Sequence, residues 1–177
     1  MDHDRFACRP ASAFSAIAFR PTVSVHPYRR AWETRDLSQW EEALAEDVVL
    51  HSPVISRPFM GRDAALELFD VLFDVLDAFQ ITHELANGES HAFFWRADAN
   101  GRNIQGTDLI RHDAQGKICE VTVMIRPLVD IAAFAAAIGP PLAARRGRYR
   151  APLVRLMTLP LRVFLALADT LASRLIG

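Results

Sequence analysis

The sequence lacks the short motifs that identify several large enzyme classes. Its 177 residues contain no glycine-rich dinucleotide or phosphate loop, no G-x-S-x-G elbow and no H-E-x-x-H pair. The six histidines are scattered without the spacing of metal ligands, and the two cysteines do not form a C-x-x-C pair. The sequence therefore predicts no metal and no organic cofactor, and it argues against nucleotide-dependent and serine-hydrolase activities.

An excess of charge of one sign is also lacking, since the formal net charge is -1. This balance argues against nucleic acid as a partner. A clean secretory leader is not recognisable, because Asp2 and Asp4 replace the expected basic start. We expect a cytoplasmic protein with one domain over 25–138. A loosely held arm would precede this domain over 1–24, and an arginine-rich linker with an apolar helical tail would follow over 139–177.

Helical and strand patterns occupy different parts of the chain. Apolar residues with helical spacing predict helices, with Ser38 capping the second, and these cover 27–34, 39–45 and 63–79. Alternating runs separated by Asn-Gly and other turn residues predict strands, which cover 48–52, 80–86, 90–99, 102–112 and 117–126. Helices followed by an antiparallel meander indicate an α+β fold, in which one curved sheet packs against helices.

Asp108 is the most informative residue of the predicted strand over 102–112. Because side chains alternate between the two faces of a strand, Asp108 shares a face with Ile104, Gly106 and Ile110. A carboxyl among apolar groups is expected to have a raised pKa, and its neutral form can donate a hydrogen bond to a ligand. A neighbouring hydroxyl or backbone amide that simply satisfies the carboxyl is the alternative interpretation.

The tail has a broad apolar surface interrupted by arginines. Gly139-Pro140-Pro141 predicts a break before it, and Arg155 and Arg162 argue against a membrane span of about twenty residues. Two interpretations remain open for residues 145–176. The tail packs on the domain or on a second subunit, or it lies on an anionic membrane with the arginines of 145–150 at the head groups.

The order of these elements and several short motifs resemble the SnoaL-like branch of the nuclear transport factor 2-like superfamily. The matching stretches are Tyr28-Arg29-Arg30-Ala31-Trp32, Ala45 to Val54, Gly61-Arg62-Asp63, Gly106 to Arg111 and Met124 to Pro127. The resemblance covers about 25–138. It implies a cone of strongly bent antiparallel sheet backed by the N-terminal helices, with an interior pocket and an extra C-terminal helix here. By analogy it also implies a homodimer.

Within that superfamily, the chain is similar to ketosteroid isomerase at two positions. The resemblance implies that Tyr28, on the first helix, and Asp108, on a strand, bind an oxyanion. The isomerase has an Asp before a Pro as its general base, and here Ser52 stands at that place. His51 is the neighbouring candidate, although adjacent residues of a strand face opposite sides.

The predicted pocket would hold a small hydrophobic molecule. Its expected lining, besides the catalytic candidates, consists of Trp32, Ser52, Phe59, Phe93, Trp95, Met124 and Arg126. Arg126, if it faced inward, would pair with Asp108 and lower its pKa. Two functions remain open: a cofactor-free isomerase, cyclase or hydratase, and a non-catalytic module for ligand binding or dimerisation.

Overall fold

The computed structural model describes residues 25–147 and 149–176, so the predicted arm over 1–24 lies outside the described residues. The helices, in chain order, are α1 (Pro27–Thr34), α2 (Leu37–Ala43), α3 (Arg62–Val75), α4 (Leu128–Arg145) and α5 (Arg150–Ile176). The strands are β1 (Leu44–His51), β2 (Phe59–Met60), β3 (Leu76–Asn87), β4 (Ser90–Ala99), β5 (Asn103–His112) and β6 (Ile118–Arg126).

The strands form one sheet in the order β2-β1-β6-β5-β4-β3. Strands β3 to β6 make the predicted antiparallel meander, whereas β1 lies parallel to β6 at the other side. Asn100 and Gly101 both have positive φ, of 54° and 73°, which is the geometry that an Asn-Gly hairpin turn requires. The predicted α+β fold with a helix-backed sheet is confirmed.

The hydrophobic core lies between the helices and one face of the sheet, which we call the inner face. That face carries the buried side chains Phe93, Trp95, Ile104, Asp108, Ile110, Val121 and Ile125. Aromatic rings from the helices fill the space above it. Trp40 of α2, for example, stacks on Phe69 of α3 with 3.8 Å between ring centroids. Such contacts each add about 1 kcal/mol beyond the burial of their area.

Helix α3 ends at Val75, four residues earlier than the apolar spacing predicts. Strand β3 begins directly at Leu76 and contains a bulge between Asp77 and Gln80, where Ala78 has φ 49°. The extra residue shifts the alternation, so that Leu76 and Phe79 both pack on the core. The three-residue spacing of Leu76 and Phe79 therefore comes from a bulge in a strand and not from a helical turn.

Two other local predictions are wrong. The second helix is capped by Asp36, whose side chain accepts from the Ser38 backbone N–H at 2.9 Å, and not by Ser38 itself. The predicted break at 139–141 is absent, because α4 continues through Pro140 and Pro141 to Arg145. Ile138 and Pro140 are buried, and we attribute the continuity to this packing, which outweighs the backbone hydrogen bonds that the prolines remove.

Helices α4 and α5 differ in how much of their surface is covered. By length and composition alone both are apolar enough to cross a membrane, which for α5 contradicts the expectation that its arginines prevent this. Half of the residues of α4 are buried, so core packing explains its composition. None of the described residues of α5 is buried.

Candidate functional site

Asp108 lies at the middle of β5 on the inner face, where the alternation of the sequence predicts it. Its neighbours across the ladder are Phe93 on β4 and Val123 on β6. Only 4% of Asp108 is exposed. The carboxyl is therefore enclosed by apolar groups, and its polar contacts decide its chemistry.

Both oxygens of the Asp108 carboxyl accept a hydrogen bond from an aromatic side chain. The Tyr28 hydroxyl donates to Oδ2 at 2.6 Å, and the Trp95 indole Nε1–H donates to Oδ1 at 2.8 Å. Tyr28 is held by α1, which begins with Pro27 and is capped by the His26 side chain. Its ring also stacks on Phe93 with 4.3 Å between centroids. Tyr28 and Asp108 lie together, but the Tyr28 hydroxyl donates to the Asp108 carboxyl and does not point into the cavity, as joint binding of an oxyanion would require. Trp95 is a third member of this group.

Burial raises the pKa of Asp108 from 3.8 to about 6, although the hydrogen bonds from Tyr28 and Trp95 act in the opposite direction. This is the direction that alternation predicts, but with a pKa of about 6 the carboxyl is mostly ionised at pH 7, so the neutral, hydrogen-bond-donating form is the minor one there. Burial, followed by the nearby Asp108 charge, holds the pKa of Tyr28 well above its usual value. Tyr28 therefore remains a proton donor to Asp108.

The indole of Trp95 reaches Asp108 because β5 has a glycine at position 106. A Cβ on Gly106 would lie 2.2 Å from Cζ2 of Trp95, far inside van der Waals contact. Glycine is therefore the residue that lets the ring lie flat over β5. This close approach positions the indole N–H two residues further along the same face.

A small cavity lies beside Asp108. Its volume is about 30 Å³, and its polar lining includes Ser52, Trp95 and Asp108 among apolar side chains. Phe134 and Ile138 of α4 close one wall. This space suffices for one or two water molecules, whereas pockets for drug-sized ligands measure about 300 Å³ or more.

Several predicted pocket residues do meet around this cavity. Trp32, Ser52 and Trp95 line it together with Asp108. The buried Nε1–H of Trp32 makes no hydrogen bond of normal geometry among the described residues, but it lies close enough to the Tyr28 hydroxyl to lower the pKa of Tyr28. The Ser52 hydroxyl accepts from the Val54 backbone N–H at 3.1 Å.

The other predicted site residues lie away from the cavity lining. Phe93 is fully buried and stacks on Tyr28, and Phe59 of β2 is 8% exposed in the core, so neither lines the cavity. Met124 and Arg126 were predicted to face the pocket, but they point to the opposite face of the sheet, where they line a groove of about 530 Å³. Strand β6 pairs Asp108 with Val123, and alternation then sends its even-numbered neighbours outward.

His51 is also on the outer face. Its Nε2 lies 3.3 Å from a carboxylate oxygen of Glu120, and its side chain is 42% exposed. The register shift in β1 lies before Val49, and Val48 and Leu50 then face the core in regular alternation, so His51 stays on the outer face. His51 is therefore not placed to act as a base on a ligand beside Asp108.

A second group of side chains, absent from the sequence prediction, lies at one end of the inner face. His26, His91 and His112 are half-buried, and their ring centroids are 4.5 to 5.1 Å apart. Burial lowers the pKa of His26 to about 3, with further lowering by His91, His112 and Arg29. We call these three residues the histidine cluster. Alternation places His91 and His112 on the inner face of paired strands, which is the signal that sequence reasoning missed.

Comparison with known proteins agrees with this architecture. Residues 25–121 match the model of a family described as SnoaL-like domain. Comparison with curated protein sequences gives no match.

Among solved structures, a steroid delta-isomerase from Pseudomonas aeruginosa is 28% identical, with a TM-score of 0.63 over 67% of this chain and 88% of that one. An uncharacterised protein with a cystatin-like fold from Silicibacter pomeroyi is 25% identical, with a TM-score of 0.63 over 71% of this chain and 94% of that one. An NTF2-like protein of unknown function from Mesorhizobium loti is 22% identical, with a TM-score of 0.51 over 57% and 88% of the two chains, and supports the fold alone.

Proposed function

The chain belongs to the SnoaL-like family, and we propose that it binds a small, mostly apolar molecule beside Asp108 and moves a proton on it. The proposal rests on the buried carboxyl of Asp108, which lines an apolar cavity and accepts hydrogen bonds from Tyr28 and Trp95. A buried carboxyl in this setting is costly for the fold, and a purely structural interior has no need of it.

The chemistry that fits is proton transfer to or from an oxygen or an adjacent carbon of the ligand. A group with a pKa of about 6 works well as a general acid or base near neutral pH. The neutral carboxyl donates to a carbonyl oxygen, and the carboxylate accepts from a hydroxyl. Isomerisation, cyclisation and hydration of carbonyl compounds all need such a group. The steroid delta-isomerase with which the chain shares 28% identity is consistent with this class.

Tyr28 has a positioning role in this proposal. Its hydroxyl donates to Asp108 and it does not line the cavity, so it acts on the ligand through the carboxyl. The ring of Trp32 lines the cavity, while its Nε1–H lies near the Tyr28 hydroxyl, so Trp32 supports Tyr28 in this role.

Binding requires the cavity to enlarge from about 30 Å³. Ser52 and Pro53 belong to its wall and begin the irregular segment between β1 and β2, where the side chains are half-buried or exposed. Irregular segments with few buried contacts open more readily than the core. We therefore place the entry of the ligand at this segment.

A titration with a rigid aromatic phenol tests the proposal. Binding is monitored through tryptophan fluorescence, because Trp32 and Trp95 line the cavity. The folded protein is expected to bind the phenol, and Asp108→Leu is expected to lose at least about tenfold in affinity because a hydrogen bond to a charged group contributes about 1.5–3 kcal/mol. Thr107→Val is the matched control, since Thr107 is the adjacent residue on the outer face. Absence of binding to folded wild-type protein, or equal binding by Asp108→Leu, would reject the proposal.

A second proposal concerns α5, which we infer attaches the protein to an anionic membrane surface. Large apolar side chains recur along one side of this helix at spacings of four and seven residues, and more than half of each is exposed; they include Leu153, Met157, Phe164, Leu171 and Leu175. The partly covered residues Val154, Thr158 and Arg162 lie on another side. An apolar surface that faces away from the domain, on a helix with four arginines and one aspartate, suits the interface of an anionic bilayer.

Vesicle flotation of the full chain distinguishes the alternatives. Binding to vesicles with phosphatidylserine, weaker binding to pure phosphatidylcholine, and loss of binding in Phe164→Glu are expected. Arg150→Ala is expected to weaken binding only to the anionic vesicles. A dimer in solution that Phe164→Glu dissociates, with no vesicle binding by the wild type, would show that a second copy covers α5 instead. The predicted homodimer otherwise stays a prediction.

A further inference from the structure

The histidine cluster brings together three imidazoles from distant parts of the chain. His26 precedes α1, His91 lies at the start of β4 and His112 ends β5. One ring nitrogen from each lies within 4.8 Å of the corresponding nitrogens of the other two. A metal ion with imidazole ligands at about 2.0–2.1 Å brings its ligand atoms to mutual distances of roughly 3.3 Å, so modest side-chain rotation completes the geometry.

Two of the three imidazoles have an oxygen behind the ring. Nδ1 of His112 lies 3.1 Å from the Glu89 carbonyl oxygen, which only accepts, so Nδ1 carries the proton and Nε2 keeps its lone pair. Nδ1 of His91 is 3.9 Å from a carboxylate oxygen of Glu84. Oxygen acceptors behind metal-binding histidines are the rule, because they fix the ring and its tautomer.

The Glu84 carboxylate is itself held in place. Arg29 of α1 donates to the same carboxylate from Nη2 at 3.1 Å. The buried Nδ1 of His91 has no hydrogen-bond partner among the described residues, because Glu84 stays just out of reach. A small closing movement would complete this contact when Nε2 of His91 takes up an ion.

His26 differs from the other two in the use of its nitrogens. Its Nδ1 accepts the Tyr28 backbone N–H at 3.1 Å, so Nε2 carries the proton in the neutral ring. Either nitrogen becomes a ligand only when this capping contact is given up. His91 and His112 are therefore the primary ligands, and His26 joins at the expense of the cap of α1.

We propose that His26, His91 and His112 form a site for a divalent late transition-metal ion, with Zn²⁺ as the representative. Imidazole nitrogens suit Zn²⁺, Cu²⁺ and Ni²⁺, whereas Mg²⁺ and Ca²⁺ prefer oxygen ligands. Three imidazoles leave the fourth tetrahedral position for water or a ligand oxygen. Asp108 is four residues from His112 on β5, about 13 Å along the strand, so this site is separate from the cavity.

The test is a Zn²⁺ titration of the full chain, free of any affinity tag, by calorimetry against a competing chelator. We expect one ion per chain and a loss of affinity of at least about tenfold in both His91→Ala and His112→Ala. His83→Ala is the matched control, because His83 is an exposed histidine on β3 beside Phe94 and outside the cluster. Its affinity is expected to equal that of the wild type, and Mg²⁺ is expected not to compete.

The calorimetric test requires that the His91→Ala and His112→Ala variants fold. A second measurement uses the wild-type protein alone. In a ¹H–¹⁵N spectrum of the histidine rings, Zn²⁺ is expected to shift the nitrogens of His91 and His112 while those of His51 and His83 stay in place. Unchanged affinity in His91→Ala and His112→Ala, or the absence of ring shifts in the wild type, would overturn the proposal. Failure of the phenol titration would not affect it, because the two sites share no residue.

Discussion

Asp108 and the histidine cluster lie on the same face of one sheet, but their surroundings differ. Asp108 is 4% exposed, and both of its oxygens have a hydrogen-bond donor. The cluster is half-buried, and Nδ1 of His91 is without a partner among the described residues. Burial raises the pKa of Asp108 and lowers that of His26, because it disfavours the charged form in each case.

The two places therefore differ in what binding requires of the surrounding residues. At Asp108 both carboxyl oxygens already have a donor and the cavity beside them is small, so a ligand must displace neighbouring groups to enter. At the cluster, His91 and His112 can bind an ion without losing a hydrogen bond, and only His26 must give one up. We therefore expect substitutions around Asp108 to have large effects on stability, and substitutions in the cluster to have small effects on stability and large effects on metal binding.

The largest effect is expected from Phe134→Ala, which removes the wall that α4 contributes to the cavity. Phe134 is 4% exposed, and truncation of a buried Phe typically costs 3–5 kcal/mol of unfolding free energy, so we expect a loss of about 3–5 kcal/mol. The same change enlarges the space beside Asp108. Phenol affinity should therefore rise while the urea midpoint falls.

The matched variant for this experiment is Leu128→Ala, at the exposed start of α4, where a change within about 0.5 kcal/mol is expected. Equal phenol affinity in Phe134→Ala and wild type, with the expected loss of stability, would mean that α4 does not limit access to Asp108.

The second-largest effect is expected in the pH dependence of the free energy of unfolding, through the titration of Asp108. Its folded pKa of about 6 lies above the usual 3.8, so folding favours the neutral form. This contribution is fully present below about pH 4 and is lost as the pH rises through 6, by about 3 kcal/mol in all. His26 works in the other direction, since its lowered pKa makes stability rise between about pH 3 and 6.5.

Comparison of wild type with Asp108→Asn isolates the first contribution, by urea denaturation between pH 4 and 7 in the presence of a chelator. The stability of wild type relative to the variant should fall between pH 4 and 6 and then level off. Parallel profiles for the two proteins would show that Asp108 does not titrate in this range.

The alternation of one strand was sufficient to place Asp108, because the side-chain period of a strand is fixed by its backbone. Its pairing with Tyr28 followed only from the family resemblance, since 80 residues separate the two. Trp95 was assigned to the correct face, but its hydrogen bond depends on the close approach over Gly106, which no local pattern encodes.

The errors have physical reasons of the same kind. The size of the cavity depends on Phe134 and Ile138, in a helix that follows the sheet and crosses the predicted domain boundary. Met124 and Arg126 were predicted to face inward, but Asp108 pairs with Val123, so the odd-numbered residues of β6 share its face. The histidine cluster joins residues as far apart as positions 26 and 112, so its spacing in sequence carries no ligand signature.

Gly106→Ala is expected to have an intermediate effect at the Asp108 end. The added methyl would overlap the Trp95 ring, and overpacking of this kind costs about 1–3 kcal/mol. The indole N–H would also move away from Asp108, so the Trp emission should change. In a Trp95→Phe background, which lacks the outer atoms of the indole, the cost of the methyl should be smaller. An equal cost in both backgrounds would exclude the overlap as its cause.

The smallest effect on stability is expected from substitution of His26. Two variants separate its role as the cap of α1 from its role as a metal ligand. His26→Ala removes the acceptor of the Tyr28 N–H at the start of α1, which should cost about 1 kcal/mol, whereas His26→Asn keeps an acceptor and should cost less. Zn²⁺ affinity should fall equally in both variants, because neither has an imidazole. Urea denaturation and calorimetry on the same two proteins measure these quantities. If Zn²⁺ affinity followed the order of stability, His26 would act on the ion only through α1, and His91 with His112 would be its ligands.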